Sequence, residues 1–224
     1  PVSIDAGFLL WFFGRRVESL PERLPVLATL LSTLGLGLPA GLNAWLPFLV
    51  LSLADRYTTV VELDGPFEFI SSTPGLIIIL LLLPIELIVD KIPGADHISD
   101  LVHTFVRPVA GAILAAAVAD ASGDVDAWLG AAVGGASAGA THAAKMSTRP
   151  VITASTGGVG NPVASVVEDF ITTVTSIIAV FLPLLLLVVL PLAAVGLFAL
   201  WQRLKRGSER LRAAARRSSP TMRT

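Results

Sequence analysis

Residues 90–108 read DKIPGADHISDLVHTFVRP and crowd acids, two histidines and an arginine between two apolar stretches. Asp96, Asp100 and His103 recur at i, i+4 and i+7, so one helix face would carry all three. Carboxylates and an imidazole on one face form a donor set for a divalent cation such as Mn, Fe or Zn. His142 or Glu168 would complete the shell from elsewhere. The competing reading is a juxtamembrane helix whose acids and histidines make caps and ion pairs. Cysteine is absent, which excludes disulfides, thiolate metal sites and cysteine nucleophiles.

A second chemistry is anion or lipid-phosphate binding. Lys91, Arg107, Lys145 and Arg149 fall on one predicted side, and arginine offers phosphate a two-pronged fork. Ser155 and Thr156, followed by Gly157 and Gly158, could present backbone N–H groups to an anion. The stretch lacks the lysine and spacing of a P-loop, which speaks against nucleotide hydrolysis. Alternatively, Arg107 and Arg149 pair with Asp90, Asp100, Glu168 or Asp169 and hold a bundle together. A third chemistry is proton carriage by Glu86, Glu168 and Asp169 with His97, His103 and His142, against the reading that these groups sit hydrated at an interface. Asn43 and Asn161 are amides in apolar surroundings interrupted by Gly and Pro, and are substrate-contact candidates. Thr141-His142 is too little for a catalytic site, and no nucleophile elbow occurs, so no enzyme is expected.

The elements that must position these groups belong in a bilayer. The chain has 224 residues, 54% hydrophobic and 15% charged, with a mean hydropathy of +0.77. A soluble domain would carry about a quarter charged residues. Residues 1–24 contain a short apolar run (8–13) followed by Arg15 and Arg16, and read as an interfacial amphipathic segment. A signal peptide would need basic residues before that run. Residues 25–203 read as one helical transmembrane domain and 204–224 as a basic cytoplasmic tail that anchors to anionic lipid. The tail lacks interleaved aromatics, so nucleic acid is not an expected partner.

Expected spans lie near 26–54, 74–89, 109–119, 127–146 and 170–201. Asp96 would start a short helix ending near Val106, and Pro183 and Pro191 would kink the last stretch. The first span is broken between Gly35 and Pro47. The segment 148–162 (TRPVITASTGGVGNP) lacks helical periodicity and reads as re-entrant or unwound. The span 127–146 is nearly all Ala, Gly and Ser, which suits a central helix packed closely by its neighbours, or a homo-oligomer contact. The basic ends place both termini in the cytoplasm, with 55–68 and 120–126 outside. Six crossings satisfy this if 151–167 crosses. Five with a re-entrant hairpin is the alternative. Arg107-Pro108-Val109 recurs as Arg149-Pro150-Val151, a faint internal echo.

Three pieces, AGLNAWLPFL (40–49), DKIPGADHISDLVHTFVRP (90–108) and GNPVASVVED (160–169), together resemble a bacterial integral-membrane family catalogued as domain of unknown function 4126. The resemblance covers about residues 26–190. It implies a polytopic helical membrane protein and supplies no mechanism; the expected location is the bacterial inner membrane. The expected fold is therefore all-α, with five or six transmembrane helices and two broken segments meeting near the midplane. The expected function is a small permease-like transporter of a divalent metal or a phosphate-bearing anion or head group. The alternative is a non-transporting scaffold or accessory subunit packing through its small-residue helix.

Overall fold

The structure, a computed structural model, describes residues 23–89, 96–196 and Gln202; for the helical residues 96–101 it describes the backbone only. The residues before 23, expected to be interfacial, the basic tail after 202 and the side chains of Asp96 and Asp100 lie outside the described residues.

Every regular element among the described residues is helical. In chain order these are α1 (Arg23–Ala40), α2 (Trp45–Tyr57), a 3-10 turn (Gly65–Phe67), α3 (Glu68–Ser71), α4 (Thr73–Val89), α5 (Asp96–Ser122), α6 (Ala127–Thr156) and α7 (Gly160–Phe181). A further apolar helical stretch covers Pro183–Gly196, opening with a 3-10 turn at Pro183–Leu185.

Among the described residues three helical segments are long and apolar enough to cross a bilayer: Arg23–Ala40, Val102–Ser122 and Gly160–Phe181. A fourth arises if Gly65–Ser71 and Thr73–Val89, which meet at 55°, form one bent span. This corrects the expected five or six, and the reasons are local. α2 has 13 residues, about 20 Å at 1.5 Å each, short of the roughly 30 Å a hydrocarbon core demands. α6 is 30 residues long, but its Ala, Gly and Ser, interrupted by Lys145 and Arg149, give little apolar surface. The expected short helix from Asp96 and the expected span 109–119 are one helix, which passes through Pro108.

The two broken segments are also narrower than expected. α1 runs unbroken through Gly35, Gly37 and Pro39, and the chain leaves the helix only at 41–44. At 18 residues, about 27 Å, α1 is itself span-length, so the break falls at its end and not at its middle. Residues 148–156 are the last turns of α6, carried through Pro150, and only 157–159 are non-helical. Gly157 (φ +64°) and Gly158 (φ +91°) make the left-handed exit that terminates a helix, and the N–H groups of both bond back to the Thr153 carbonyl.

The small-residue helix is central, as its composition implies. Its buried positions are Gly130, Gly134, Ala138, His142, Lys145 and Arg149, one stripe at helical spacing. A Cβ on Gly134 would collide with the Gly111 carbonyl oxygen and the Ala115 methyl of α5. One on Gly41 would collide with the Ala138 carbonyl oxygen. The absence of side chains at these positions lets α1, α5 and α6 approach backbone to backbone. α4 and α7 face outward with their apolar sides. Ile77, Leu81, Ile85 and Ile88 of α4 are exposed, as are Val163, Val166, Phe170 and Ile177 of α7. α7 buries Asn161, Ser165, Thr172 and Ser176 instead. Polar residues inside and apolar residues outside invert the soluble pattern and suit a helix whose solvent is lipid.

Candidate functional site: an ion-pair ring around the broken helix

The break at 41–44 leaves backbone groups without helical partners, and such groups are costly in an apolar interior. Charged side chains from three helices meet them. Arg107 of α5 donates from Nη1 to the Gly41 carbonyl (3.3 Å). Lys145 of α6 donates to the Leu42 carbonyl (3.0 Å). The Ala44 N–H donates to Glu86 of α4, 3.1 Å from Oε2. Asn43 accepts the N–H groups of Trp45 and Leu46 on Oδ1, both at 3.1 Å, and so closes the first turn of α2. Its amide donates to Asp169 Oδ1 of α7 (3.0 Å). Each residue of the break is thus held by a different neighbour.

The same side chains pair with one another. Glu86 Oε1 accepts from Arg107 Nη2 at 2.9 Å, with both side chains essentially sequestered from solvent (1% and 0% exposed). His103 Nε2 lies 3.8 Å from the same carboxylate oxygen. Glu168 of α7 takes two cations on one oxygen, Lys145 at 3.1 Å and Arg149 at 2.6 Å. Within the ring, the carboxylates Glu86, Glu168 and Asp169 match the cations Arg107, Lys145 and Arg149 in number. Such pairing is what permits charge in a largely buried setting.

His142 stands with Nδ1 3.1 Å from Arg107 Nη1 and Nε2 3.4 Å from the Thr104 hydroxyl. A guanidinium can only donate, so Nδ1 must accept and the ring proton sits on Nε2. That assignment bears on the metal reading. The Nδ1 lone pair is directed at a cation, and a guanidinium beside it opposes a second one. His103 in turn faces Glu86, and Glu168 is committed to two cations. Among the described residues no three His, Asp or Glu side chains group as metal ligands would. The candidate metal residues His103 and His142 therefore belong to the ion-pair ring, and Asp96 and Asp100 have undescribed side chains.

The anion candidates divide. Arg107, Arg149 and Glu168 lie in the ring. Asn161 is buried beside it, its amide donating to Thr153 Oγ1 (2.8 Å). Ser155 and Thr156 do not join: both are exposed and donate to the Ile152 carbonyl, at 3.1 and 2.7 Å. Thr156 also accepts the Gly160 N–H (3.0 Å). The glycines after them turn their N–H groups back into α6, so no anion nest forms there. The reading that Glu86 sits hydrated at an interface is corrected too, because it is 3% exposed. Sequence reasoning missed Ser165 and Thr172, buried hydroxyls of α7, and missed that Lys145 reaches the break. A signal for the first two existed: Asn161, Ser165, Thr172 and Ser176 share one helical face opposite Val163, Val166 and Phe170.

Fold and site together define an all-α, polytopic membrane protein built around a broken helix and an internal ring of paired charges. The family model of a domain of unknown function (DUF4126) matches residues 30–203, and the chain belongs to that family. No curated protein and no solved structure matches it.

Proposed function

We propose that this protein is a small permease-like membrane transporter whose substrate passes the break at 41–44. The observation that carries the reading is Glu168 shared between Lys145 and Arg149 beside a discontinuous helix. Ionisable groups inside membrane domains are costly and are kept where they handle substrate or move with it. Discontinuous helices put backbone dipoles at substrate sites. The ion pairs act as an occluding seal, and the substrate opens it by exchanging for one partner. The basic tail supports a C-terminus on the cytoplasmic side of a plasma (inner) membrane, held by anionic lipid.

The chain has no cysteine, so one introduced thiol is a unique reporter. Thr172→Cys, at a buried position of α7, is reconstituted and treated with a membrane-impermeant thiol reagent from either side. Alternating access predicts slow labelling from both sides, together with flux of a divalent metal or a phosphate-bearing anion. Full protection from both sides with no flux across that panel would sink the proposal.

A second reading has its own observation. Ala132, Ala136, Ala140 and Ala144 are exposed at four-residue spacing on the outer side of α6. Small residues so arranged admit another helix at close range. A non-transporting scaffold or accessory subunit, or a homo-oligomer, would pack there. Disulfide crosslinking through Ala136→Cys without labelling of Thr172→Cys favours that reading.

A further inference from the structure

Three atoms near the α6–α7 seam are buried without a hydrogen-bond partner: Nε of Arg149, Oγ of Ser165 and Oδ1 of Asn161. The three residues are 8%, 0% and 4% exposed. They share one stripe. Asn161 reaches α6 at Thr153, and Glu168 reaches it at Lys145 and Arg149. Ser165 lies four residues after Asn161 and three before Glu168, and so stands between these two contacts. Buried polar atoms are ordinarily hydrogen-bonded, so three unmet along one seam point to a partner that is not part of the chain.

Their hydrogen-bonding types specify what. The Arg149 Nε–H donates only, the Ser165 hydroxyl donates or accepts, and the Asn161 carbonyl accepts only. Thr153 Oγ1 donates to the Arg149 carbonyl (3.0 Å) and so accepts the Asn161 amide, which leaves Oδ1 as the acceptor without a partner. The complementary ligand bears anionic oxygens and also one O–H. Glu168, held by two cations on one oxygen, is the resident anion for which it would exchange.

We infer that this seam binds phosphate carrying a proton, either as the free ion or as a phosphomonoester head group. Its anionic oxygens accept from Arg149 Nε, Ser165 Oγ and Lys145, and its P–OH donates to Asn161 Oδ1. Sulfate and carboxylates lack that O–H at neutral pH, and phosphodiester head groups lack it too. This rests on the transport reading and names its substrate class.

The test is equilibrium binding on the intact chain, followed by thermal unfolding in detergent and in lipid nanodiscs. Inorganic phosphate should raise the unfolding temperature saturably, while sulfate at matched ionic strength should not. In nanodiscs, phosphatidic acid is set against phosphatidylglycerol, a diester. A response to inorganic phosphate assigns the free ion, and a response to phosphatidic acid alone assigns the head group. Ser165→Ala should weaken the response about tenfold, the loss of one hydrogen bond to a charged group. Arg149→Lys keeps a cation for Glu168 but removes the Nε donor, and should do the same. No response to either phosphate source, equal responses to phosphate and sulfate, or full affinity in both variants overturns the inference. Labelling of Thr172→Cys from both sides would in that case leave transport standing with another substrate.

Discussion

Arg107 is the residue on which the ring turns. It holds Glu86, the Gly41 carbonyl and His142 from one guanidinium with no exposed surface. Arg107→Met would leave Glu86 buried without its cation, and removing one member of a buried pair costs about 3–5 kcal/mol. The Glu86→Met/Arg107→Met double variant should recover part of that loss, because no unpaired charge remains although the Gly41 carbonyl and the Ala44 N–H lose their partners. Denaturant unfolding in micelles measures both, and equal losses in the single and double variants would contradict the pairing. Lysine is no substitute at 107, since a single ammonium cannot serve three partners in fixed directions. Asn43→Leu removes both the closing of α2 and the bond to Asp169. It should lower stability by about 1–2 kcal/mol, so its flux must be compared at a temperature where it is still folded.

At the scale of elements, α6 is the helix the others are built on. Gly134 touches α5, and Gly41 from the break touches α6 where Ala138 lies. Gly134→Val should destabilise by about 1–3 kcal/mol through overpacking, and Gly123→Ala should differ in kind. Gly123 has open space around it but a φ of +68°, so its penalty comes from backbone strain. Unfolding temperatures of the two variants, with Gly134→Ala as an intermediate, check the order. The repeated Arg-Pro-Val also gains meaning at this scale. Both arginines are buried, both prolines sit inside long helices, and each arginine meets a glutamate from another helix, Arg107 with Glu86 and Arg149 with Glu168. The two pairs hold α4 and α7 to the central α5–α6 hairpin.

For the whole molecule, the inverted pattern of α7 is decisive. Its buried side is polar and its exposed side is Val, Ile and Phe. In water that surface would aggregate, and in lipid it is the favoured one. Val166→Arg on the lipid side should cost membrane insertion up to about 3 kcal/mol, whereas Val166→Leu should cost nothing measurable. Insertion into microsomes or inner-membrane vesicles, scored as the membrane-integrated fraction, reads this directly. Indifference to the arginine would place Val166 outside the hydrocarbon.

Composition alone determined the solvent: too few charges and too many long apolar runs for anything but a bilayer, whatever the fold. The small-residue stretch 127–146 determined a central helix, because residues without bulk are useful chiefly where backbones touch. Residue types and local spacing suffice for such properties. Three things were settled only in three dimensions. Where α1 breaks depended on Arg107, Lys145 and Glu86 arriving from 66, 103 and 42 residues away to replace the lost backbone bonds. The span count depended on helices that continue through Pro108 and Pro150, which local signals read as stops. Finally, the sequence offered His103 and His142 both as metal ligands and as members of ion pairs, and the fold sets them beside Glu86 and Arg107. A side chain's chemistry is fixed by its type, but its partner is fixed by packing between helices distant in the chain.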